Sequence, residues 1–419
     1  MMAQGLARYE TTLAGLERKG RRRILIDRAG ADFSSNDYLA LAGSARLAAA
    51  IASALDRGVP AGSGGSRLLR GNHPEHEALE AEAAVFFGAE RVLYFGSGYA
   101  ANTALFSTLP QRGDLVVYDA LVHASAHEGI QAGKAQAIAA AHNHVESFAQ
   151  AIEHWRIEGG TGHPWIAVES LYSMDGDRAP LAELAALAEK HDGFLVVDEA
   201  HATGVFGPAG RGFAADLENR ANVIVLHTCG KALGVSGALL GASAVLCDYL
   251  VNRARGFIYS TAPSPLMAAA VRQSLRMLVD EPKRRAGFDA LRSFANAELS
   301  AKLGVAGSGS QILPVLIGDN GRAVRIAARM RAEGFDIRAI RPPTVPEGTA
   351  RLRIAITLNV DQPTIVCMFT RLAAMIAEEK PCALCGNGHR YRHRQDGVFG
   401  RTRGGTWRLL LETGAIGSG

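Results

Sequence analysis

Four short stretches carry residues able to do chemistry, and each lies at or just beyond the end of a short apolar run. Asp198 closes the run Phe194–Asp198 and is followed by Glu199-Ala200-His201. A carboxylate partly removed from water needs a cationic partner there. A protonated pyridine nitrogen is one, and holding it protonated turns the ring into an electron sink. Lys231, in Thr228-Cys229-Gly230-Lys231, follows the run Val223–His227. In a dry pocket its amine would lose basicity and become a nucleophile. Gly96-Ser97-Gly98-Tyr99-Ala100-Ala101-Asn102 joins the run Val92–Phe95 to a helical pattern. Its glycines let backbone approach an anion, and the helix N-terminus offers N–H groups to a phosphate. His123, in Leu121-Val122-His123-Ala124-Ser125, can stack on a planar ring and donate a hydrogen bond. Taken singly, these are also a helix cap or structural ion pair, a surface lysine, an ordinary strand–helix turn and a satisfied core histidine. The weight shifts because Asp198 and Lys231 close neighbouring segments of the same kind, 33 residues apart.

The elements that must position these residues are legible in the hydrophobic pattern. Leu115–Tyr118 and Trp165–Glu169 join the three runs above as short strands rich in β-branched or aromatic residues. Between strands lie 3.6-residue patterns, as in Glu75–Gly88 (Leu79, Ala83, Phe86, Phe87) and Leu181–His191, which Pro180 opens and Gly193 follows. Alternation of apolar strands with helices predicts a mostly parallel sheet covered on both faces, with ligands at the carboxyl ends of its strands. From about Asp280 a second pattern, helices near 281–302 and 321–334 with strands Ile312–Ile317 and Arg351–Thr357, reads as a smaller α+β domain. The expected organisation is an amino-terminal segment 1–45, a large domain 46–279, a small domain 280–379 and a basic tail 380–419.

Composition narrows the class. In 419 residues, 48% are hydrophobic and 21% charged, which excludes general disorder, collagen and coiled coil. The net charge of +4 is misleading, because the tail holds seven Lys/Arg and two Asp/Glu and leaves the remainder at −1. The body therefore makes no charge case for nucleic acid or an anionic membrane. The longest uncharged apolar stretch, Ala232–Cys247, is 16 residues and glycine-broken, too short for a spanning helix. With no apolar leader pattern and five unpatterned cysteines, reduced thiols and a cytoplasmic setting are expected.

Together these stretches resemble the fold-type I pyridoxal phosphate enzymes, and within them the α-oxoamine synthase family. The resemblance runs collinearly over about residues 5–378. It includes Ser34-Ser35-Asn36-Asp37-Tyr38-Leu39, Gly62 to Gly71, His76 to Glu80, Ser173-Met174-Asp175-Gly176-Asp177, Asp198 to Gly204, Gly230-Lys231 and Ile258-Tyr259-Ser260-Thr261. It implies pyridoxal 5'-phosphate (PLP) as cofactor, with Lys231 bonding its aldehyde carbon and later carrying the substrate's Cα proton. Asp198 would meet the pyridine nitrogen and His123 would stack on the ring. Ser173 and His201 would lie on the phenolic-oxygen side. Gly98, Tyr99 and Thr228 would hold the phosphate, joined by Ser260 and Thr261 from the partner of a homodimer. Asn36 and Arg353 would bind the amino-acid carboxylate, and an arginine of the 18–23 cluster would contact the acyl thioester. The segment Ala339 to Arg353, with Pro342-Pro343-Thr344, is most similar to members that join L-alanine to a pimeloyl thioester in biotin synthesis. That thioester sits on coenzyme A or an acyl carrier protein. Members acting on glycine or serine differ at the amino acid by no more than small groups, and a methyl is worth only ~1–3 kcal/mol.

Two readings of other classes stay open at this point. One is a non-catalytic binding protein on the same scaffold. The other is a zinc protein using Cys382, Cys385, His389 and His393, which crowd into twelve residues without the usual spacer. No metal is expected. The tail departs from the family pattern and is read as a disordered extension without chemistry of its own; His73-Pro74-Glu75-His76 is read as a helix start rather than a metal site.

Overall fold

A computed structural model describes residues 2–379, with side chains from residue 5, and the backbone of 398–401 and 407–410. The chain divides into two compact units. The larger holds 41–172 and 178–285 with the tail strands; the smaller holds residues up to 40, 173–177 and 286–379.

The larger unit is built on one sheet: β1 (Arg91–Phe95), β2 (Leu115–Asp119), β3 (Gln136–Ala140), β4 (Pro164–Glu169), β5 (Phe194–Asp198), β6 (Val223–Thr228) and β7 (Ala238–Ala242). Their order is β3-β2-β4-β5-β6-β7-β1, parallel from β3 through β6, with β7 antiparallel to both neighbours. Alternate residues feed two cores. Val116, Tyr118, Ala167, Val196, Ile224 and Leu240 pack on one face with Leu105 and Ile130. Leu115, Val117, Ile166, Val168, Leu195, Val197 and Val225 pack on the other with Phe148, Trp155 and Leu184. Two-sided burial is why these strands read as continuous apolar runs. Ala238 of β7 faces Thr228 of β6 on one side and Phe95 of β1 on the other, so the glycine turn after β1 opens at the same sheet edge as Asp198 and Thr228.

In the smaller unit an antiparallel sheet, β9-β10-β8, comprises β8 (Ile312–Gly318), β9 (Arg338–Ile340) and β10 (Ala350–Ala355). Leu313, Val315, Leu352 and Ile354 meet Leu291, Ile326, Met330, Met368, Phe369 and Leu372 from three helices: Pro282–Leu303, Asn320–Ala332 and Gln362–Glu378.

The division into compact units differs from the expected boundaries. The helix Pro282–Leu303 sends Phe288, Leu291, Ala295 and Leu299 into the core, so the change of unit falls at 285/286 and not at 279/280. The amino-terminal segment is no separate region. Ala31 and Asp32 pair in parallel with Phe335 and Asp336, and Phe33 is buried in the small core. Residues 173–177 also join this unit, because Gly176 adopts φ +72° with its α-carbon against the Ile312 carbonyl, where a Cβ would come within 2.5 Å. In the tail, β11 (Val398–Arg401) and β12 (Trp407–Leu410) form an antiparallel pair, and Phe399 pairs with Ala139 on the outer edge of β3. Those eight residues differ from the expected disorder; the rest of the tail, with Cys382, Cys385, His389 and His393, lies outside the described residues. Among the described residues no helix is long and apolar enough to cross a membrane.

Candidate active site

At the carboxyl edge of the large sheet, Asp198 ends β5 in register with Glu169 of β4 and Leu226 of β6. One oxygen, Oδ1, accepts the Ala200 N–H at 2.9 Å; the other, Oδ2, accepts Asn102 Nδ2 at 2.8 Å. A carboxylate has about four acceptor positions, so capacity remains for a cationic N–H. Asn102 stands on the helix Gly98–Thr108 and is 2% exposed.

His123 is the N-cap of the helix Ala124–Ala132, its ring accepting from Ser125 N at 3.2 Å. Ser125 Oγ lies 2.8 Å from the same Nδ1. Burial holds the His123 imidazole below its usual pKa; the Asp198 carboxylate opposes this and Lys231 adds to it, so the ring feels both groups. Lys231 Nζ lies 2.9 Å from Nε2 of buried His201, close enough to share a proton. Cys229 beside it is fully buried and its thiol is pushed up by burial, which leaves it inert.

The phosphate candidates converge as well. Ser97 caps the helix Gly98–Thr108 through Ala100 N, while the first N–H groups of that helix have no intrahelical partner. A Cβ on Gly98 would stand 2.6 Å from Cγ2 of Thr228, so the turn and the β6 terminus form a cradle that only glycine leaves open. Tyr99 is 45% exposed, and its hydroxyl donates to Glu128. A carboxylate for a ring nitrogen, a flanking neutral imidazole, an amine and an anion cradle fit PLP in donor type and placement.

The smaller unit holds the other expected group. Arg353, 6% exposed on β10, donates through Nε to the Ser173 carbonyl at 2.6 Å and through Nη2 to Asn36 Oδ1 at 3.0 Å. Tyr38 also donates to Asn36 Oδ1, at 3.0 Å. Arg351 pairs with Asp175, so two arginines fasten the 173–177 turn. Of the 18–23 cluster, Arg21, which pairs with Glu347, and Arg23, which donates to Thr344 at 3.0 Å, line a small cavity with Arg341, and Arg22 pairs with Glu17. Arg341 is held below the usual guanidinium range by burial and by Arg23.

Thus Gly98, Tyr99, His123, Asp198, His201, Thr228 and Lys231 gather in the larger unit, and Asn36, Ser173 and Arg353 in the smaller. Ser260 and Thr261 are exposed in the turn after the short helix Arg255–Ile258, outside both groups. Sequence reasoning assigned no role to Asn102 or Ser125, although both stood inside stretches it singled out. Two wider grooves, around Asp114–Trp155 and around Glu189–Arg220, carry none of these side chains.

This fold and this edge define a class. Residues 29–368 match the aminotransferase class I and II family, and the chain belongs to it. Its sheet and helices follow the fold-type I arrangement: a serine palmitoyltransferase from S. paucimobilis, solved with a bound PLP–myriocin aldimine, superposes with a TM-score of 0.81 at 25% identity, covering 90% of this chain and all of that one. In sequence the chain is 41% identical over 385 residues to the 8-amino-7-oxononanoate synthase of Anaeromyxobacter dehalogenans, spanning 88% of this chain and 95% of that protein. It is 42% identical to the enzyme of that name from Chromobacterium violaceum, over 82% and 89% of the two chains. The crystal structure of the Francisella tularensis 8-amino-7-oxononanoate synthase superposes with a TM-score of 0.71 at 27% identity, over 84% and 99%.

Proposed function

We propose that this chain, using PLP, condenses L-alanine with a pimeloyl thioester to give 8-amino-7-oxononanoate, carbon dioxide and free thiol, the step that serves biotin synthesis. The carrying observation is Lys231 in contact with His201, in the same cluster as the Asp198 carboxylate and His123. Identity above 40% to synthases of that name supports the choice within the family.

When bound, PLP supplies an electrophilic carbon and a sink for the electron pair left at Cα. Asp198 keeps a cationic ring nitrogen protonated. Gly98 and Tyr99 N–H groups and the Thr228 hydroxyl hold the phosphate, completed by Ser260 and Thr261 of a second copy in a homodimer. The Lys231 amine takes and returns the Cα proton, with His201 as its hydrogen-bond partner. His123, neutral, lies against the ring and donates without taking protons. Arg353, steadied by Asn36 and Ser173, binds the amino-acid carboxylate. The Arg21, Arg23 and Arg341 cavity takes an anionic end of the acyl substrate, whether coenzyme A or a carrier protein presents it. A cytoplasmic setting goes with this substrate.

The test is a panel of alanine, glycine and serine against pimeloyl, acetyl and palmitoyl thioesters, following thiol release. Alanine with the pimeloyl thioester should win. Preference for glycine with the acetyl thioester, or serine with the palmitoyl one, overturns the substrate assignment. A chain that shows no visible band with added PLP, or a band that borohydride does not bleach and Lys231→Ala does not abolish, overturns the enzyme reading.

A further inference from the structure

Two buried polar side chains of the cluster, Asn102 and Ser125, belong to none of the roles above. Asn102 is 2% exposed and Ser125 fully buried, and each bridges two others. The direction of every hydrogen between them can be followed from one end. The backbone N–H of Ser125 points at His123 Nδ1 from 3.2 Å, so that nitrogen presents a lone pair. Ser125 Oγ lies 2.8 Å from the same lone pair, and its hydroxyl therefore donates. The hydroxyl oxygen is then an acceptor, and Asn102 Nδ2 supplies a hydrogen to it over 3.0 Å. The second hydrogen of that amide goes to Asp198 Oδ2 at 2.8 Å. Amide nitrogens donate and carboxylates accept, so the chain runs one way. Moving a proton onto His123 Nδ1 would set it against the Ser125 N–H, a costly clash of donors away from water.

We propose that Asn102 and Ser125 are positioning residues that hold His123 as its Nε2–H tautomer and couple that imidazole to the Asp198 carboxylate. The nitrogen of His123 left free of this chain then carries a hydrogen. It donates to an incoming oxygen and does not serve as a base at neutral pH. The depression of its basicity by burial acts in the same direction. What His123 does for substrate rests on the function proposed above; the relay itself belongs to the chain and can be read without substrate.

The experiment uses the full chain with ¹⁵N-labelled histidine, with and without PLP, the His123 signals being assigned by their loss in His123→Gln. Long-range ¹⁵N–¹H correlations should show one neutral Nε2–H tautomer in both states. Ser125→Ala removes one buried oxygen; it should move the Nδ1 resonance, and Ser125→Thr, which keeps the hydroxyl, should restore it. Asp198→Asn should shift the His123 signals in the native background and shift them less when combined with Ser125→Ala, the remainder being the direct field of the carboxylate. Asn102→Leu should weaken PLP binding by about threefold or more, read by absorbance titration at a temperature where the variant is folded before loading. A His123 protonated on Nδ1, or Ser125→Ala leaving both tautomer and coupling as they were, overturns the proposal. If Asn102→Leu fails to fold, the single-oxygen Ser125 variant decides. If the chain binds no PLP, the proposed function falls while the tautomer arm still gives its answer.

Discussion

Glu199 directly follows Asp198, yet its side chain has different neighbours. It is fully buried, accepts the Ala214 N–H at 2.6 Å, and its pKa is raised by burial to about 7, against the opposing field of His227. A raised carboxyl pKa means the folded chain binds more protons than the unfolded one between about pH 4.5 and 7. Stability contributed by this group is thus full below pH 4.5 and is lost as pH rises to 7. Glu199→Gln keeps the oxygen that Ala214 needs and removes the titration. Against this variant the wild type should lose about 2–3 kcal/mol between pH 5 and 8, measured by urea unfolding at each pH; parallel pH curves for the two proteins would refute it. Arg353→Lys tests a fork against a point charge. It cannot reach both Asn36 and the Ser173 carbonyl in the same geometry, so KM for the amino acid should rise about 10–100-fold with kcat reduced less. An unchanged KM would remove Arg353 from carboxylate binding.

At the scale of elements, the cradle between the β1 turn and the end of β6 makes a paired prediction. Gly98→Ala places a methyl 2.6 Å from Thr228 Cγ2, which should weaken PLP binding at least tenfold with the fold retained. Thr228→Ser removes that methyl while keeping the hydroxyl, and the double variant should recover most of the loss in an absorbance titration. Additive losses would mean the two elements do not share the cradle. The strand ends that carry these residues were legible because Phe194–Asp198 and Val223–Thr228 are five or six residues of branched and apolar side chains stopped by a polar one. Gln136–Ala140 and Ala238–Ala242 were not, since alanine and glycine carry weak strand preference. Pairing with their sheet neighbours makes them strands. The helix Met2–Arg18 escaped for a related reason, its apolar residues Leu6, Tyr9 and Leu13 standing exposed on a polar background. Lys231, Asp198 and His123 could be singled out from residue type at or beyond strand ends, and Arg353 from the family resemblance alone. Asn102 and Ser125 could not: a lone amide or hydroxyl in a helix has no local signature, and its partners are set only when strands and helices meet. His73 did announce itself, and its ring caps the helix Pro74–Phe87 through Glu75 N at 3.1 Å.

For the whole molecule, the tail is the testable addition. Its strand β11 meets β3 at the single pair Phe399–Ala139, at an edge of a sheet whose other strands are paired on both sides or carried by β7. Truncation after Glu379 removes little of what holds the larger unit. The melting temperature should change by no more than about 2 °C, and kcat should stay within twofold, in thermal melts and thiol-release assays. A large fall in either would make the carboxy-terminal strands part of the working enzyme.

The partition of the chain also limits how it can be cut. Before residue 286 the backbone changes unit four times, at 40/41, 172/173, 177/178 and 285/286, with the five residues Ser173–Asp177 as the shortest visit. No single break in the polypeptide yields a fragment containing all of either unit and nothing of the other. A break at 285/286 would leave both cores of the larger unit on the amino-terminal piece but would part Phe33 and the Ala31–Asp32 strand from the rest of the smaller unit's core, so that unit cannot be made as one uninterrupted fragment.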